Sequence, residues 1–159
     1  MPTDNLRPNE SIWLVSPEPS DERFALTLQV EPSDIDELGH VNNIVYLRWV
    51  VKVAVAHWRA EATADQQAAI AWVVVRHEID YKHSAKLGDA IIARTWVGEA
   101  GAQKFQRHTE ILRALDHRLL ASALTIWCPI SRVSGRPIIV DDEVRRRFSV
   151  PTLDGDKKV

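Results

Sequence analysis

The amino-acid sequence predicts an α+β fold in which one long helix packs on an antiparallel sheet. Three features support this: an apolar stretch long enough for a buried helix, five strand-like runs, and short breaks between the later runs. The 159 residues suffice for one domain with its own core. We expect this domain to span residues 22–148, preceded by a loose arm at 1–21 and followed by a tail at 149–159.

The first strand and the long helix are separated by a loop rich in turn-forming residues. The strand is expected at 23–30, where apolar and polar residues alternate. From position 44 to about 60 the chain has no Gly or Pro, and Asn42 or Asn43 stands where an N-cap is needed. The stretch therefore predicts a helix. Its apolar residues wrap nearly the whole circumference, so we expect it to be largely buried, with His57 among its polar interruptions.

Four further runs complete the predicted sheet, at 71–83, 89–98, 103–113 and 118–130. The breaks between them are short enough for antiparallel hairpins. A short helix is expected at 141–148, and we interpret its basic run, Arg145–Arg147, as a solvated helix end. One helix cannot cover both faces of a five-stranded sheet. The sheet edges and the outer face are therefore expected to contact a second copy of the chain.

Composition excludes several classes of function. The chain carries 20 Lys and Arg against 22 Asp and Glu, with no basic patch of the kind that nucleic-acid binding requires. Its longest uncharged stretch has 13 residues, too few to span a membrane. No secretion signal is visible and there is a single cysteine, so we expect a soluble, cytoplasmic protein. The histidines show no metal-ligand spacing, and no metal site is predicted.

The loop before the long helix carries the most distinctive pattern, Asp34-Ile35-Asp36-Glu37-Leu38-Gly39-His40-Val41-Asn42-Asn43 with Tyr46 three residues on. It resembles the signature of hotdog-fold acyl thioesterases, the superfamily of 4-hydroxybenzoyl-CoA thioesterase and the acyl-ACP thioesterases. Gly88-Asp89 and Gly135-Arg136-Pro137 extend the resemblance over roughly residues 22–148. The resemblance implies a hotdog fold, a five-stranded antiparallel curved sheet wrapped around one long central helix, in a homodimer or homotetramer.

The resemblance also implies hydrolysis of an acyl-CoA or acyl-carrier-protein thioester to the free acid, with no cofactor. It assigns the role of nucleophile or general base to Asp36, and the sequence leaves both open. The helix itself has no Asp or Glu between 44 and 60 that would serve instead. Free amides at a helix start suit an oxyanion, and Asn43 or its neighbours Val41 and Asn42 would supply them.

Other residues of the loop have open roles. His40 either donates to the substrate or orients Asp36, and Gly39 either allows a turn with positive φ or lets substrate approach closely. With Gly39, the residues expected to contact substrate are Val41, Asn42 and Tyr46. Three alternatives remain: Asx turns at Asp34 and Asp36 without catalysis, a hydratase or dehydratase that uses Asp36 and His40, and a non-catalytic protein that binds acyl thioesters.

Overall fold

The structure, a computed structural model, describes residues 23–150 and Leu153. The predicted arm at 1–21 and most of the predicted tail at 149–159 lie outside the described residues. The elements are β1 (Phe24–Gln29), α1 (Asn43–Glu61), α2 (Ala64–Ala69), β2 (Ile70–Tyr81), β3 (Ala90–Ala100), β4 (Phe105–Arg113), β5 (Leu119–Ser131) and α3 (Asp142–Arg147). A single 3₁₀ turn, Pro32–Asp34, follows β1.

The five strands form one antiparallel sheet in the order β1-β3-β4-β5-β2, and α1 packs against its inner face. The predicted α+β class is thereby confirmed. The hairpin expected between β2 and β3 is wrong, because β2 pairs with β5 and β3 pairs with β1. Residues 82–89 instead cross one end of the sheet. Eight residues can span about 25 Å, ample for the three strand spacings of about 5 Å each between β2 and β3.

The helix α1 begins and ends within a residue or so of the predicted bounds. Sequence reasoning missed α2, the six-residue helix that follows it. Its signal was nevertheless local: the Thr63 side chain accepts from the Gln66 N–H, and the Gln66 side chain accepts from the Thr63 N–H. This is a capping box, a pattern of helix starts.

Only one face of α1 is buried, contrary to the expectation of a largely buried helix. The buried side chains are Val45, Tyr46, Trp49, Val50, Val53, Ala54 and His57. Ile44 is 70% exposed. The reason is geometric: within residues 23–150 the sheet covers α1 from one side, and a helix packed on a single sheet has an outward face. His57, expected as a polar interruption, lies on the buried face.

The basic run of α3 is also only partly as predicted. Arg146 and Arg147 are exposed, but Arg145 is buried. The Arg145 guanidinium donates to the carbonyl oxygens of Ala100 and Gly101, at 2.8 and 2.9 Å. Because Arg145 caps these carbonyls where β3 ends, α3 is held against the sheet.

The core consists of two apolar clusters along α1. The first packs around the N-terminal half of the helix and contains Val45, Val50, Ile91 and Ile111; the second, near its C-terminal end, contains Phe105, Val144 and Phe148. Between them a polar row crosses the sheet, with Arg107 opposite Thr125 and Thr125 opposite His77. The two ends of α1 therefore lie in different surroundings. None of the described helices is long and apolar enough to cross a membrane.

Candidate active site

The loop before α1 forms a small closed hairpin at the helix N-terminus. Ile35 and Val41 form an isolated antiparallel bridge at its base. Inside it the Asp36 N–H donates to the His40 carbonyl at 2.8 Å, and the Gly39 N–H donates to the Asp36 carbonyl at 3.0 Å. Gly39 has φ +75°, a left-handed conformation that glycine adopts without strain. The positive φ expected at Gly39 is therefore present, and it closes the turn.

The Asp36 carboxylate bonds to the backbone of this hairpin through one oxygen only. Its Oδ1 accepts from the Leu38 N–H at 2.9 Å and, more weakly, from the His40 N–H at 3.4 Å. Within the described residues its Oδ2 has no hydrogen bond and the carboxylate forms no ion pair. Asp36 thus forms the Asx turn considered above and keeps one oxygen available for chemistry.

Asp34, two residues earlier, is in a different position. Its side chain is buried, with Oδ2 accepting from the Glu31 N–H at 3.0 Å and Oδ1 lying 3.4 Å from Arg48 Nη1. Because one oxygen binds the backbone before the loop and the other binds Arg48 of α1, Asp34 links the loop to the helix. Of the two carboxylates of Asp34-Ile35-Asp36, only Asp36 has an oxygen without a partner among the described residues.

Two of the three backbone amides proposed for the oxyanion are already occupied. The Val41 N–H donates to the Ala85 carbonyl at 3.0 Å, and the Asn42 N–H donates to the Asp34 carbonyl at 2.9 Å. Both bonds tie the hairpin to its neighbours. The side chain of Val41 is buried in the first core cluster.

In the first turn of α1, one backbone N–H has no hydrogen-bond acceptor among the described residues. Asn42 is the N-cap: its side-chain oxygen accepts from the Ile44 N–H at 3.0 Å, and its carbonyl accepts from the Val45 N–H at 2.9 Å. The Asn43 N–H, between them, donates to no described residue. It lies at the exposed helix start, where the helix dipole favours negative charge. Of the candidates Val41, Asn42 and Asn43, the uncommitted donor is therefore Asn43.

Two tyrosines support this helix start. Tyr46 is only 2% exposed, and its hydroxyl accepts from the Ala85 N–H at 2.7 Å and lies 3.5 Å from the His83 carbonyl. Burial raises the pKa of the Tyr46 phenol, which therefore stays protonated. The Tyr81 hydroxyl donates to the Asn43 carbonyl at 3.1 Å. Sequence reasoning missed Tyr81, because nothing local links the end of β2 to the start of α1.

The surface around the hairpin is apolar and open in the single chain. Leu38 is 79% exposed, and Ile44 and Tyr81 are exposed as well. The predicted residues Asp36, Gly39, His40, Asn42 and Asn43 share this surface, whereas Tyr46 lies behind it in the core. Among the described residues, no group of three His, Cys, Asp or Glu side chains is arranged to hold a metal ion.

Comparison with known proteins decides the family. The model of the thioesterase-like superfamily matches residues 30–148, which include the hairpin, α1 and four of the five strands. The chain belongs to this superfamily. This thioesterase-like chain is also 28% identical over 94 residues to the chloroplastic acyl-[acyl-carrier-protein] hydrolase FATB3 of Cuphea viscosissima. That match covers 55% of the chain and 23% of the length of the plant protein.

Solved structures place the thioesterase-like chain in the hotdog fold. A 1,4-dihydroxy-2-naphthoyl-CoA thioesterase from Synechocystis superimposes with a TM-score of 0.70 and 21% identity, covering 80% of this chain and 96% of that one. A thioesterase from Thermus thermophilus, solved with coenzyme A and Zn, gives a TM-score of 0.69 and 22% identity, covering 78% and 90%. At these identities the likeness establishes the fold, as the sequence resemblance predicted.

Proposed function

We propose that this protein is an acyl thioesterase that hydrolyses an acyl-CoA to the free acid and CoA. Family membership supports thioester hydrolysis as the reaction class. One observation carries the assignment of residues: an available carboxylate oxygen of Asp36 and the amide of Asn43, which has no acceptor among the described residues, occur in the same exposed hairpin-helix junction.

In the proposed reaction, the Asn43 N–H and the N-terminal dipole of α1 stabilise the negative charge that develops on the thioester carbonyl oxygen. Asp36 Oδ2 acts in one of two ways. It attacks the carbonyl carbon, expels the thiolate and forms an anhydride that water then hydrolyses, or it removes a proton from a water that attacks directly. Either route consumes one water and yields one acid and one thiol.

The neighbours of these two groups have positioning roles in the proposal. The Leu38 and His40 amides hold Asp36 Oδ1, so that Oδ2 points away from the turn. Asn42 holds the first turn of α1 through its side chain, and Gly39 allows the hairpin to close. Tyr46 fixes the segment at Ala85, against which Val41 docks. In this proposal Tyr46 therefore acts behind the site and does not contact substrate.

We propose a homodimer, or a pair of such dimers, as the working assembly. β2 is an edge strand with no partner on its outer side within residues 23–150, and it runs for 12 residues. Val73 and Val75 on this strand are exposed. Leu38 in the hairpin and Ile44 are exposed too, and Ile44 follows Asn43, to which Tyr81 at the end of the strand donates. Edge strands of this kind invite pairing, and a second copy would cover the open apolar surface beside the hairpin. Light scattering of the purified protein measures the assembly.

The test is thiol release from a panel of acyl-CoA and acyl-carrier-protein substrates. Asp36→Asn keeps an oxygen for the Leu38 and His40 amides but removes the base, so we expect kcat to fall at least about 100-fold without loss of thermal stability. Asp65→Asn, an exposed change on α2, is the matched control and should be silent. Thiol release that survives Asp36→Asn contradicts the assignment. Consumption of an enoyl substrate without thiol release indicates a hydratase, and saturable binding with neither reaction indicates a binding protein.

A single turnover in ¹⁸O-labelled water separates the two roles of Asp36. Attack by the carboxylate places the acyl group on Asp36, and hydrolysis of that anhydride at its side-chain carbonyl puts the label into the enzyme. Direct attack by water puts the label into the released acid, as does hydrolysis of the anhydride at its acyl carbonyl. Label in the peptide that contains Asp36, detected by mass spectrometry, is therefore the outcome that identifies Asp36 as the nucleophile.

A further inference from the structure

The C-terminal half of α1 borders a cavity of about 490 Å³ that the proposed chemistry does not use. It lies among the second core cluster, where β2 and β4 begin and β5 ends. Trp58, which lines it, is 15 residues beyond Asn43, or about 22 Å along the helix. A volume of this size is in the range of small-molecule sites. The cavity is thus a separate feature from the Asp36 hairpin.

Aromatic side chains build the walls of this cavity, namely Trp58, Trp72, Phe105, Trp127 and Phe148. Trp72 meets Trp58 and Phe105 edge to face, with ring centroids 5.5 and 5.1 Å apart, and Trp58 stacks on Phe148 at 5.6 Å. Such interlocked rings have few alternative rotamers. The walls therefore form a preorganised apolar surface for a ligand with a chain or ring.

The charged residues that line the cavity are all basic. Within the described residues the lining includes Arg59, Arg107, Arg132 and Arg145, and no Asp or Glu. Arg145 caps carbonyls at the end of β3, and Arg132 Nε donates to the Gln67 carbonyl at 2.9 Å. Arg59 is exposed. Arg107 and Arg145 are the buried members of this set, and Arg107 is the one whose hydrogen bonds to the described residues go only to side chains, those of His57 and Thr95.

Arg107 is 8% exposed and has no carboxylate within 4.0 Å in the part of the chain that the structure describes. Its Nη1 donates to His57 Nδ1 at 3.0 Å and to Thr95 Oγ1 at 3.3 Å. Burial lowers the pKa of Arg107 to about 10, so the group is still a cation at neutral pH. Burial and the Arg107 charge lower the pKa of His57 to about 4, so His57 is neutral. Neither partner cancels the buried charge, which is costly when left unpaired.

Two further donors in the same walls have no partner. The indole N–H groups of Trp72 and Trp127 are buried and make no hydrogen bond to a described residue. Buried indole N–H groups ordinarily have an acceptor, and a native structure leaves few such groups unsatisfied. The cavity is thus bordered by apolar rings, by Arg107 without a carboxylate partner among the described residues, and by two tryptophans whose indole N–H groups have no acceptor there.

We propose that this cavity binds a small carboxylic acid as its anion, with the carboxylate against Arg107 and an apolar chain or ring among the aromatic side chains. A carboxylate supplies the anionic partner that Arg107 lacks among the described residues, and the basic lining favours an anion over a neutral ligand. A carboxylate also matches the planar fork of a guanidinium and accepts from indole N–H groups. The inference does not depend on the proposed thioesterase activity, because it concerns the other end of α1.

The primary experiment compares decanoate with 1-decanol, which has the same chain and no charge. Calorimetry and tryptophan fluorescence of the full-length protein measure both. We expect decanoate to bind at one site per chain and to change the tryptophan emission, and decanol to bind at least about 10-fold more weakly, since hydrogen bonds to charged groups are strong. Equal binding of the two would show an apolar cavity without an anion site and would overturn the proposal. Failure of decanoate to bind would overturn it too.

Four variants locate the site. Arg107→Met removes the charge at similar length and should weaken decanoate binding about 10- to 100-fold. Trp127→Phe keeps a ring but removes a donor, and should weaken it about 3- to 10-fold. Arg118→Met, at an exposed arginine just before the start of β5, is the matched control and should bind as wild type. Asp36→Asn should also bind as wild type, and a change in decanoate affinity there would assign decanoate to the hairpin instead.

The conclusion does not depend on Arg107→Met folding well. If that variant unfolds, Trp127→Phe and the comparison of decanoate with decanol still decide the question. Unchanged decanoate affinity in Trp127→Phe, together with equal affinity for decanol, refutes the site. A charge preference of about 10-fold that falls in Trp127→Phe supports it.

Discussion

The two ends of α1 differ in the groups that surround them and in how far apart those groups lie in the sequence. At the N-terminal end, donors and acceptors belong mostly to the backbone, and they are bound over short sequence distances, as Asp36 is by Leu38 and His40. At the C-terminal end, side chains from distant elements meet: His57 and Arg107 are 50 residues apart, and Arg145 reaches Ala100 45 residues away. The first end lies in an exposed hairpin, and the second borders a partly open cavity.

This difference bears on what each end can do. Backbone amides at a helix start are fixed in place and face solvent, which suits them to a charge that appears only during a reaction. A buried guanidinium in an aromatic cavity is suited to an anion that remains bound. One helix thus presents two unlike sites, and changes at one end should leave the other unaffected.

The variant with the largest expected effect tests whether the backbone N–H of Asn43, at the N-terminal end of α1, stabilises the oxyanion. Asn43→Pro removes the proposed oxyanion donor, and proline is tolerated at the first helical position. Asn42 has φ −60° and ψ 139°, a conformation that the residue before a proline adopts readily. We expect kcat for thiol release to fall about 100- to 1,000-fold with little change in melting temperature.

Asn43→Ala is the companion variant, because it removes the same side chain and keeps the N–H. Its loss of activity should be far smaller than that of Asn43→Pro. Equal activity in the two variants would show that the Asn43 amide takes no part in the reaction. Decanoate binding should be the same in both, since the cavity lies at the other end of α1.

The second prediction concerns acid sensitivity at the C-terminal end. Burial and the Arg107 charge hold the pKa of His57 at about 4, below its ordinary value of 6.5. Between these values the unfolded chain binds a proton that the folded chain does not, so stability is lost as the pH falls through this window. The loss is at most about 3 kcal/mol of unfolding free energy. His77, whose pKa burial also lowers, contributes in the same direction.

Urea unfolding at pH 7 and at pH 4.5 measures this effect. His57→Asn keeps an acceptor for Arg107 but does not titrate, so its free energy of unfolding should depend less on pH than that of the wild type. The same pH dependence in the variant would assign the acid sensitivity to other groups.

The third prediction has the smallest expected effect. It tests whether Tyr46 supports the start of α1 or contacts the substrate. Tyr46→Phe leaves the buried Ala85 N–H without its acceptor, which should cost about 1–2 kcal/mol of unfolding free energy. Because the Tyr46 hydroxyl is enclosed, KM should not change. Tyr81→Phe loses a single exposed bond to the Asn43 carbonyl and should cost below about 0.5 kcal/mol. A raised KM in Tyr46→Phe would return Tyr46 to the substrate contacts.

Prediction from sequence succeeded where the signal was local. The absence of Gly and Pro from 44 to 60 and the capping asparagine located α1. Alternation located the first strand, and strand-like runs between short breaks located the other four. Residue type predicted an N-cap at Asn42 or Asn43 and, as one of two roles, a positive φ at Gly39; the structure has the cap at Asn42 and the positive φ at Gly39. Prediction failed where contacts between residues far apart in the sequence determine the structure. These are the hydrogen bond from Tyr81 to Asn43, the pairing of β2 with β5, and the burial of Arg145, whose basic neighbours suggested a solvated helix end.

The amino-acid sequence by itself determined the class of fold, the position of the acidic hairpin before α1 and the family, because hairpins, caps and periodic strands depend on residues a few positions apart. Tertiary structure alone decided which amide at the helix start stays uncommitted, since Ala85 and Asp34 occupy those of Val41 and Asn42. It also brought Arg107, His57 and the indole rings around one cavity. These groups meet only after strands far apart in the chain have paired, and a one-dimensional pattern carries no record of that pairing.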